Sequence, residues 1–356
     1  MYWKIFNLFV FLGMGASFEA LAVNHPDPSA KEAEALMRLL AGNQRLVVFV
    51  MDGVRSREVF DGSDTSISLL PKKYPTEILP KTWAKAANPN LLATNLILGG
   101  RGECKTGNDF QFSLPAYSEI FSAKPQSAPR YSFVNSNDWN GKLHFETIPD
   151  RLFKLGMDPA SIALIGSWEN LPRVFSKYKM GDTLLTPFYM DAGWNVLGLG
   201  KRITRLDDSG TFEGVKEYLK GHDPRVMFVV YNDPDQNGHH GSYEAYVSAI
   251  QRADDYTQRI KDILNGEVTH PDDQEFASGS YRKSGYKGNT TYILMTDHGR
   301  GLTPVGWRSH DPVHPGSELI WAHIESSPEI IATYRVMLNT CNHMNIMTIA
   351  AGLLGI

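Results

Sequence analysis

Short, continuous runs of apolar residues recur along the chain and alternate with stretches that have helical periodicity. The runs RLVVFVM, SIALIG, RVMFVV and TTYILM begin at Arg45, Ser161, Arg225 and Thr290. Each run is too short for a typical helix, and continuous apolar strands are characteristic of a parallel sheet covered on both faces. The pattern YEAYVSAIQRADDYTQRIKDIL, which begins at Tyr243, predicts a long helix between the last two strands. The alternation therefore predicts an α/β fold, a three-layer sandwich with a mostly parallel central sheet.

The N-terminal segment predicts export. MYWKIFNLFVFLGMGASFEALA contains one lysine, an apolar run over residues 5–15 and a small-x-small pattern that ends at Ala22. These features are typical of a secretory signal peptide over residues 1–22, so we expect a periplasmic or secreted protein. A membrane anchor is the alternative, but the run is shorter than the roughly 20 residues that span a bilayer. No later segment predicts a transmembrane helix.

The composition agrees with one globular domain. The chain has 356 residues, of which 42% are hydrophobic and 21% charged, which is ample apolar material for a core. We expect residues 23–356 to form a single domain, in which the less regular segments 70–107 and 171–225 are cap or loop elements. The net charge of −4 and the lack of a basic stripe give no reason to expect nucleic-acid binding. The spacing of the only two cysteines, Cys104 and Cys341, leaves open whether they form a disulfide bond.

Three of the predicted strands end in acidic or histidine residues. Asp52 follows the first strand, the cluster DPDQNGHH follows the third, and the DH pair of TDHGRG follows the fourth. In parallel α/β folds ligands bind beyond the carboxyl ends of the strands, so these polar ends predict a shared site. Asp235 and His239 lie four residues apart, which would place both side chains on one face at the start of the long predicted helix. A capped helix start with solvated polar residues is the alternative for this spacing.

Further candidate ligands and a candidate nucleophile lie in loops near the strand ends. Asp297 and His298 precede a glycine, so a sharp turn could direct both side chains at one ion. Ser113 precedes a helix-like segment, where the helix dipole and a neighbouring cation would both favour the serine alkoxide. Ser113 could instead be only the N-cap of that helix, and a capping role is also compatible with a nucleophilic one. His310 precedes a further apolar segment, and His314 competes with it as a ligand.

The ordered set of motifs resembles the alkaline phosphatase superfamily, which contains alkaline phosphatases, nucleotide pyrophosphatases/phosphodiesterases, sulfatases and cofactor-independent phosphoglycerate mutases. The resemblance runs from VVFVMDGVR through SLPAYSEIF, NDPDQNGHHG and TDHGRG to the closing TIAAGLLGI, which covers nearly all of the mature chain. It implies two divalent metal sites. One metal would be bound by Asp52, Ser113, Asp297 and His298, and the other by Asp235, His239 and His310.

The resemblance also implies the remaining features of the site. His310 is preferred over His314 because it stands five residues before Pro315, as in the H-x-x-x-x-P-G pattern of the family. The family usually uses zinc, and a set of His and Asp ligands is also compatible with manganese. Arg55 and Arg300 are candidates for binding phosphoryl oxygens, although either could be structural. The expected supporting residues are Asp233, Asn237 and His240.

The implied activity is hydrolysis of a small-molecule phosphate ester, either a monoester or a diester, through a phosphoseryl intermediate on Ser113. Tyr117 stands where the sulfatase pattern S/C-x-P-x-R has arginine, which disfavours a sulfatase. A phosphoryl or phosphonate transferase or a mutase-like enzyme is an alternative. A non-catalytic, metal-dependent binder of a phosphorylated ligand is another. The sequence leaves the oligomeric state open.

Overall fold

The structure is a computed structural model that describes residues 44–68, 71–124, 134–138, 143, 145–177, 179–180, 183–184, 188–191, 207–277 and 285–356. The predicted signal peptide lies outside the described residues. Among the helices that are described, none is long and apolar enough to cross a membrane.

Seven of the described strands form one sheet, and the other two pair with each other. In chain order the strands are β1 (Arg45–Met51), β2 (Asn95–Leu98), β3 (Ile162–Gly166), β4 (Lys179–Met180), β5 (Thr183–Leu184), β6 (Phe188–Asp191), β7 (Val226–Tyr231), β8 (Thr290–Met295) and β9 (Ala322–Glu325). The sheet has the order β2-β9-β8-β1-β7-β3-β6, and β4 pairs with β5. β1 pairs in parallel with β7 and β8, and β3 pairs in parallel with β7 and β6. β9 runs antiparallel to both of its neighbours, β2 and β8, and the other described pairs in this sheet are parallel, so the prediction of a mostly parallel sheet is confirmed.

Side chains of the central strands alternate between two buried cores, one on each face of the sheet. In β1, Val48 and Val50 enter one core, whereas Val47 and Phe49 enter the other. Because neither face meets water, successive positions can all be apolar, which explains the continuous runs in the sequence.

Helices cover both faces of the sheet and complete the predicted three layers. In chain order they are α1 (Ser56–Phe60), α2 (Pro75–Ile78), α3 (Pro80–Ala86), α4 (Ser113–Ser122), α5 (Ile148–Lys154), α6 (Pro172–Phe175), α7 (Asp208–Gly221), α8 (Asp233–His240), α9 (Tyr243–Asn265), α10 (Pro328–Met337) and α11 (His343–Leu353). Short 3-10 helices lie at Pro89–Leu91, Pro159–Ser161, Pro271–Phe276 and Gly306–Arg308. The core that contains Val48 is covered by α4, α5, α6, α10 and α11, and the opposite core by α1, α2, α7 and α9.

The segments expected to be caps or loops contribute to these layers, so that expectation was too simple. β2 lies within 70–107 and pairs with β9 at one edge of the sheet. β6 and α7 lie within 171–225, and α7 packs Phe212 and Val215 into a core. The run NLIL of β2 has only four residues, most of them only partly buried, which gives a weak strand pattern.

Cys104 and Cys341 form a disulfide bond that spans 237 positions of sequence, with their Cα atoms 4.4 Å apart. Beside the bond, the amide of Lys105 donates to the carbonyl of Cys341 at 3.0 Å. The bond joins the loop that leads to α4 with the segment that leads to α11, and these two helices pack against each other. The bond therefore stabilises the packing of α11 against α4, the helix that begins at Ser113.

We expect replacement of both cysteines by serine to lower the free energy of unfolding by about 2–5 kcal/mol, because the cross-link restricts the unfolded chain. Urea denaturation of wild type and the double variant measures the difference. Cys104→Ser alone is the matched control, since it breaks the same bond and should lose the same amount. An intact mass that shows two free thiols in the wild-type protein would contradict this prediction.

Candidate metal centre

The ends of three adjacent strands bring the predicted ligands to one edge of the sheet. β1 lies between β7 and β8, so the residues that follow these strands are neighbours in space. Asp52 follows β1 directly, and Asp297 and His298 follow β8. Asp235 lies in α8, which begins just after β7. All four side chains are buried.

Asp52, Asp297 and His298 form one potential metal site. Nε2 of His298 lies 3.5 Å from Oδ1 of Asp52 and 3.4 Å from Oδ2 of Asp297. One ligand atom from each residue lies within 4.8 Å of the others, close enough to bind a single ion. Ser113 adjoins the group, because its Oγ lies 3.1 Å from Nε2 of His298 and 3.4 Å from Oδ1 of Asp52. The four residues implied for the first metal therefore lie together.

A second potential site contains Asp235 and His310 and shares His298 with the first. Nε2 of His310 lies 3.9 Å from Oδ1 of Asp235, and its ring stacks on that of His298 with centroids 3.8 Å apart. Nε2 of His239 lies 3.1 Å from Nε2 of His310 and 3.2 Å from Oδ2 of Asp235. The side chain of His239 is 45% exposed, so it forms the open side of this cluster.

Backbone carbonyl groups orient the two buried histidines. Nδ1 of His298 lies 2.8 Å from the carbonyl oxygen of Gly299, and Nδ1 of His310 lies 2.8 Å from that of Gln111. A ring nitrogen that donates to a carbonyl carries the proton, which leaves the lone pair of Nε2 directed into the cluster. Burial lowers the pKa of His298 to about 4 and the pKa of His310 to about 3. Both rings are therefore neutral at neutral pH, which is the form that binds metals.

Each of the three buried carboxylates has one oxygen held by a donor and another that faces the cluster. A fixed donor on one oxygen restricts rotation of the carboxylate and so sets the direction of the other oxygen. The donors are the hydroxyl of Tyr117 for Asp52, the amide of Gly53 for Asp297 and the guanidinium of Arg300 for Asp235.

The cluster carries more negative charge than its surroundings offset. Burial raises the pKa of Asp52 well above its usual value, and the nearby charge of Asp297 raises it further. Burial also raises the pKa of Asp297 to about 6. Burial alone would raise the pKa of Asp235 as well, but the charge of Arg300 holds it well below its usual value. Arg300 donates to one of these three carboxylates, and divalent cations would offset the remaining negative charge.

The residues present fit such cations. Oδ2 of Asp297 is buried and has no hydrogen-bond partner among the described residues, although it lies beside His298. Buried polar atoms are normally paired, so an unpaired oxygen directed into a cluster of ligands is consistent with a metal partner. Carboxylate oxygens and imidazole nitrogens are ligands that zinc and manganese both accept.

Ser113 occupies the first position of α4, and Phe112 occupies the N-cap position. The alternative of a capping serine is therefore wrong, since the hydroxyl contacts Asp52 and His298 instead of the helix backbone. The amide of the next residue, Leu114, donates to Oδ1 of Asn137 at 2.9 Å. The side-chain amide of Asn137 therefore lies at the same end of α4, a position that no motif in the sequence indicated.

The two candidate arginines have structural contacts. Each guanidinium nitrogen of Arg55 donates to a protein acceptor, and these acceptors belong to Glu58, Asp64 and Gly301. Arg55 is 1% exposed, which leaves no surface for a phosphoryl oxygen, so we do not assign it to substrate. Arg300 is fully buried, and it donates to Asp235 and to two backbone carbonyl groups. Arg300 thus orients a predicted ligand.

Two glycines make room for Arg300. A Cβ atom at Gly238 would lie 2.6 Å from Cζ of Arg300, and one at Gly53 would lie 2.6 Å from Oδ1 of Asp235. Gly53 also has a φ of +64°, which L side chains rarely adopt. Both glycines stand next to motif residues in the sequence, but their spatial role depends on a long-range contact that no local pattern shows.

The other predicted residues lie at the margin of the cluster. α8 is a separate helix from α9, so Asp235 and His239 lie on one face of this short helix and not at the start of the long one. His314 is not part of the cluster, since its Nε2 lies near Asp311 at 3.8 Å. Of the three expected supporting residues, Asn237 donates to the carbonyl of Asp233, the carboxylate of Asp233 pairs with Arg252, and His240 is exposed.

Comparisons with known proteins show a shared fold. No protein-family model matches the sequence, and a search of curated proteins gave no match. Among solved structures, the lipoteichoic acid synthase LtaP from Listeria monocytogenes aligns over 92% of this chain and 78% of that chain, with a TM-score of 0.53 and 10% identity. The 2-O GAG sulfatase BT1596 aligns over 88% of this chain and 71% of that chain, with a TM-score of 0.52 and 14% identity. A Vibrio parahaemolyticus protein in the alkaline phosphatase superfamily aligns over 92% of this chain and 75% of that chain, with a TM-score of 0.46 and 14% identity.

The similarity to the synthase and the sulfatase spans 92% and 88% of this chain. The motifs that meet at the cluster occur in the order from which the resemblance was inferred. The protein therefore shares its fold with the lipoteichoic acid synthase LtaP and the sulfatase BT1596.

Proposed function

We propose that the protein is an exported hydrolase of phosphate esters that uses Ser113 as its nucleophile and two divalent metal ions as cofactors. The observation that carries the proposal is the contact of the Ser113 hydroxyl with Asp52 and His298 inside a buried cluster of metal-binding side chains. A hydroxyl among neutral imidazoles and carboxylates is placed for deprotonation beside a cation. The fold shared with a sulfatase and a lipoteichoic acid synthase agrees with this proposal.

The chain offers two ligand groups that meet at His298. When bound, divalent ions lower the pKa of a coordinated hydroxyl group and polarise the oxygens of the ester. The side chains that would bind the ions are Asp52, Ser113, Asp297 and His298 for one and Asp235, His239 and His310 for the other.

Ser113 would act in two steps. Attack of its Oγ on phosphorus forms a serine–phosphate ester, breaks the bond between phosphorus and the leaving oxygen, and releases an alcohol that takes up the serine proton. Attack of water on phosphorus then breaks the serine–phosphate bond and returns a proton to Oγ. The product released is phosphate from a monoester substrate or a phosphate monoester from a diester. The first position of α4 favours both steps, because the helix dipole stabilises negative charge on Oγ and on phosphoryl oxygens.

Asn137 is a candidate donor to the substrate. Its Oδ1 accepts from the amide of Leu114, which follows the nucleophile directly. The Nδ2 group of the same side chain therefore lies near the N-terminal end of α4, where a donor could stabilise a phosphoryl oxygen during transfer. Both candidate arginines are already bound by protein acceptors, so the metals would supply most of the positive charge at the site.

Export rests on two independent features of the chain. The N-terminal 22 residues have the pattern of a signal peptide. The disulfide bond between Cys104 and Cys341 supports the same proposal, because such bonds persist in oxidising compartments and are rare in the cytosol.

We expect Ser113→Ala to reduce turnover of p-nitrophenyl phosphate and bis-p-nitrophenyl phosphate by at least about 1,000-fold, because it removes the nucleophile. Ser118→Ala is the matched control. Ser118 lies in the same helix and is fully buried, and its Oγ has no hydrogen-bond partner among the described residues, so activity should persist. Initial rates on the zinc- or manganese-loaded protein measure both variants.

The products decide between the candidate reactions. The ratio of monoester to diester turnover assigns the subclass, and p-nitrophenyl sulfate tests the exclusion of a sulfatase. Wild-type rates in Ser113→Ala would refute the covalent mechanism. Transfer of phosphate to an added alcohol would favour a transferase, and binding of two ions without turnover of any ester would favour a binding protein.

We expect wild-type protein stripped of metal to bind two zinc ions. Asp297→Asn should bind one of them at least about 100-fold more weakly, because loss of a direct ligand lowers metal affinity more than loss of a residue that supports a ligand. Isothermal titration calorimetry measures both stoichiometry and affinity. Asp254→Asn is the matched control, because Asp254 is equally buried but accepts hydrogen bonds from Lys81 and Thr82. Equal binding by wild type and Asp297→Asn would remove Asp297 from the site.

A further inference from the structure

Two hydroxyl groups on one face of α4 contact the two oxygens of the same carboxylate. Ser113 and Tyr117 lie four residues apart in this helix, so their side chains point to the same side. Oγ of Ser113 lies 3.4 Å from Oδ1 of Asp52, and the hydroxyl of Tyr117 donates to Oδ2 at 2.8 Å. The nucleophile helix is thus attached to the end of β1 through both oxygens of Asp52.

The aromatic ring of Tyr117 is held firmly in place. The residue is fully buried, and its ring stacks on Phe121 with centroids 5.8 Å apart and lies 6.1 Å from the ring of Trp168. A phenol held on these sides cannot follow the carboxylate if the carboxylate rotates. Its hydroxyl therefore favours one orientation of Asp52.

We propose that Tyr117 is a positioning residue that confines Asp52 to a single ligand oxygen, Oδ1, on the side of Ser113. This inference rests on the proposed metal chemistry, since it concerns how Asp52 would meet a cation. The hydroxyl satisfies the buried Oδ2, so rotation of the carboxylate would break that bond and leave a buried oxygen unpaired. Oδ1 remains directed at Ser113 and at Nε2 of His298, which lies 3.5 Å away.

The donor to Asp52 is a neutral hydroxyl, and this distinguishes the ligand group around Asp52 from the one around Asp235. Arg300 holds an oxygen of Asp235 in a comparable way, but it brings a positive charge. Tyr117 holds Asp52 without adding charge, so the full charge of this carboxylate remains available to a cation and to the alkoxide beside it. The two ligand groups therefore differ in electrostatic environment although both contain a carboxylate with one oxygen bound.

Tyr117→Phe tests the proposal, because phenylalanine keeps the ring contacts and removes only the hydroxyl. We expect zinc titration of metal-free protein to show one ion bound about 10–100-fold more weakly, with the other unchanged. We also expect kcat for p-nitrophenyl esters to fall while KM stays constant, because the hydroxyl acts on the nucleophile end of the site and not on the substrate. Tyr334→Phe is the matched control, since Tyr334 is equally buried in the same core.

A double-mutant cycle separates positioning from general stability. If Tyr117 acts through Asp52, adding Tyr117→Phe to Asp52→Asn should weaken zinc binding no further. Losses of zinc affinity that add up in the double variant would overturn the proposal. So would a Tyr117→Phe protein that binds each of the two ions as tightly as wild type does. A wild-type protein that binds no zinc or manganese would instead refute the proposed function itself, so the two failures are distinguishable.

A second probe applies if Tyr117→Phe does not fold. Replacement of Tyr117 by 3-fluorotyrosine keeps the ring and the hydroxyl and introduces a fluorine signal close to Asp52. We expect the fluorine resonance to shift when zinc saturates the protein, because Asp52 would then bind a cation. A resonance that does not move at saturation would overturn the proposal.

Discussion

The burial of three aspartates at one edge of the sheet is the constraint on which the rest of the site depends. An ionised group removed from water costs several kcal/mol unless partners compensate it, so every element around these carboxylates must supply a donor or a cation. The protein supplies three donors of different kinds, the hydroxyl of Tyr117, the amide of Gly53 and the guanidinium of Arg300. Each donor takes one oxygen and leaves the other for the cluster. Negative potential is thereby concentrated between the histidines, where a divalent cation would compensate it.

Much of this arrangement was predictable from the sequence, because it depends on the ends of buried strands. β1, β7 and β8 are continuous apolar runs, and polar residues that follow each run within one helical turn's length meet at the sheet edge. Parallel strands that are neighbours direct these residues to one place, so the sequence predicted the convergence of Asp52, Asp235 and Asp297. The choice of His310 over His314 came from family spacing, and the structure brings His310 to the cluster.

What the sequence did not predict depends on contacts between distant parts of the chain. The short run of β2 belongs to the sheet only because β9 lies beside it, and a four-residue pattern cannot show such a partner. The orientation of Asp235 by Arg300 joins residues 65 positions apart and needs the absence of side chains at Gly53 and Gly238. The alignment of Asn137 with the start of α4 is likewise a tertiary contact. Local patterns thus predicted the ligands better than the residues that orient them.

The disulfide bond makes completion of the site a late event in biosynthesis. A chain is made from its N-terminus, and Cys341 and α11 follow β9 and α10 near the C-terminal end. The ligands from β1, β7 and β8 and the serine of α4 are therefore all synthesised before the segment that braces α4 from the side and ties its preceding loop to the rest of the protein. A nascent chain carries the nucleophile and every predicted ligand while the helix that presents the nucleophile still lacks its last support.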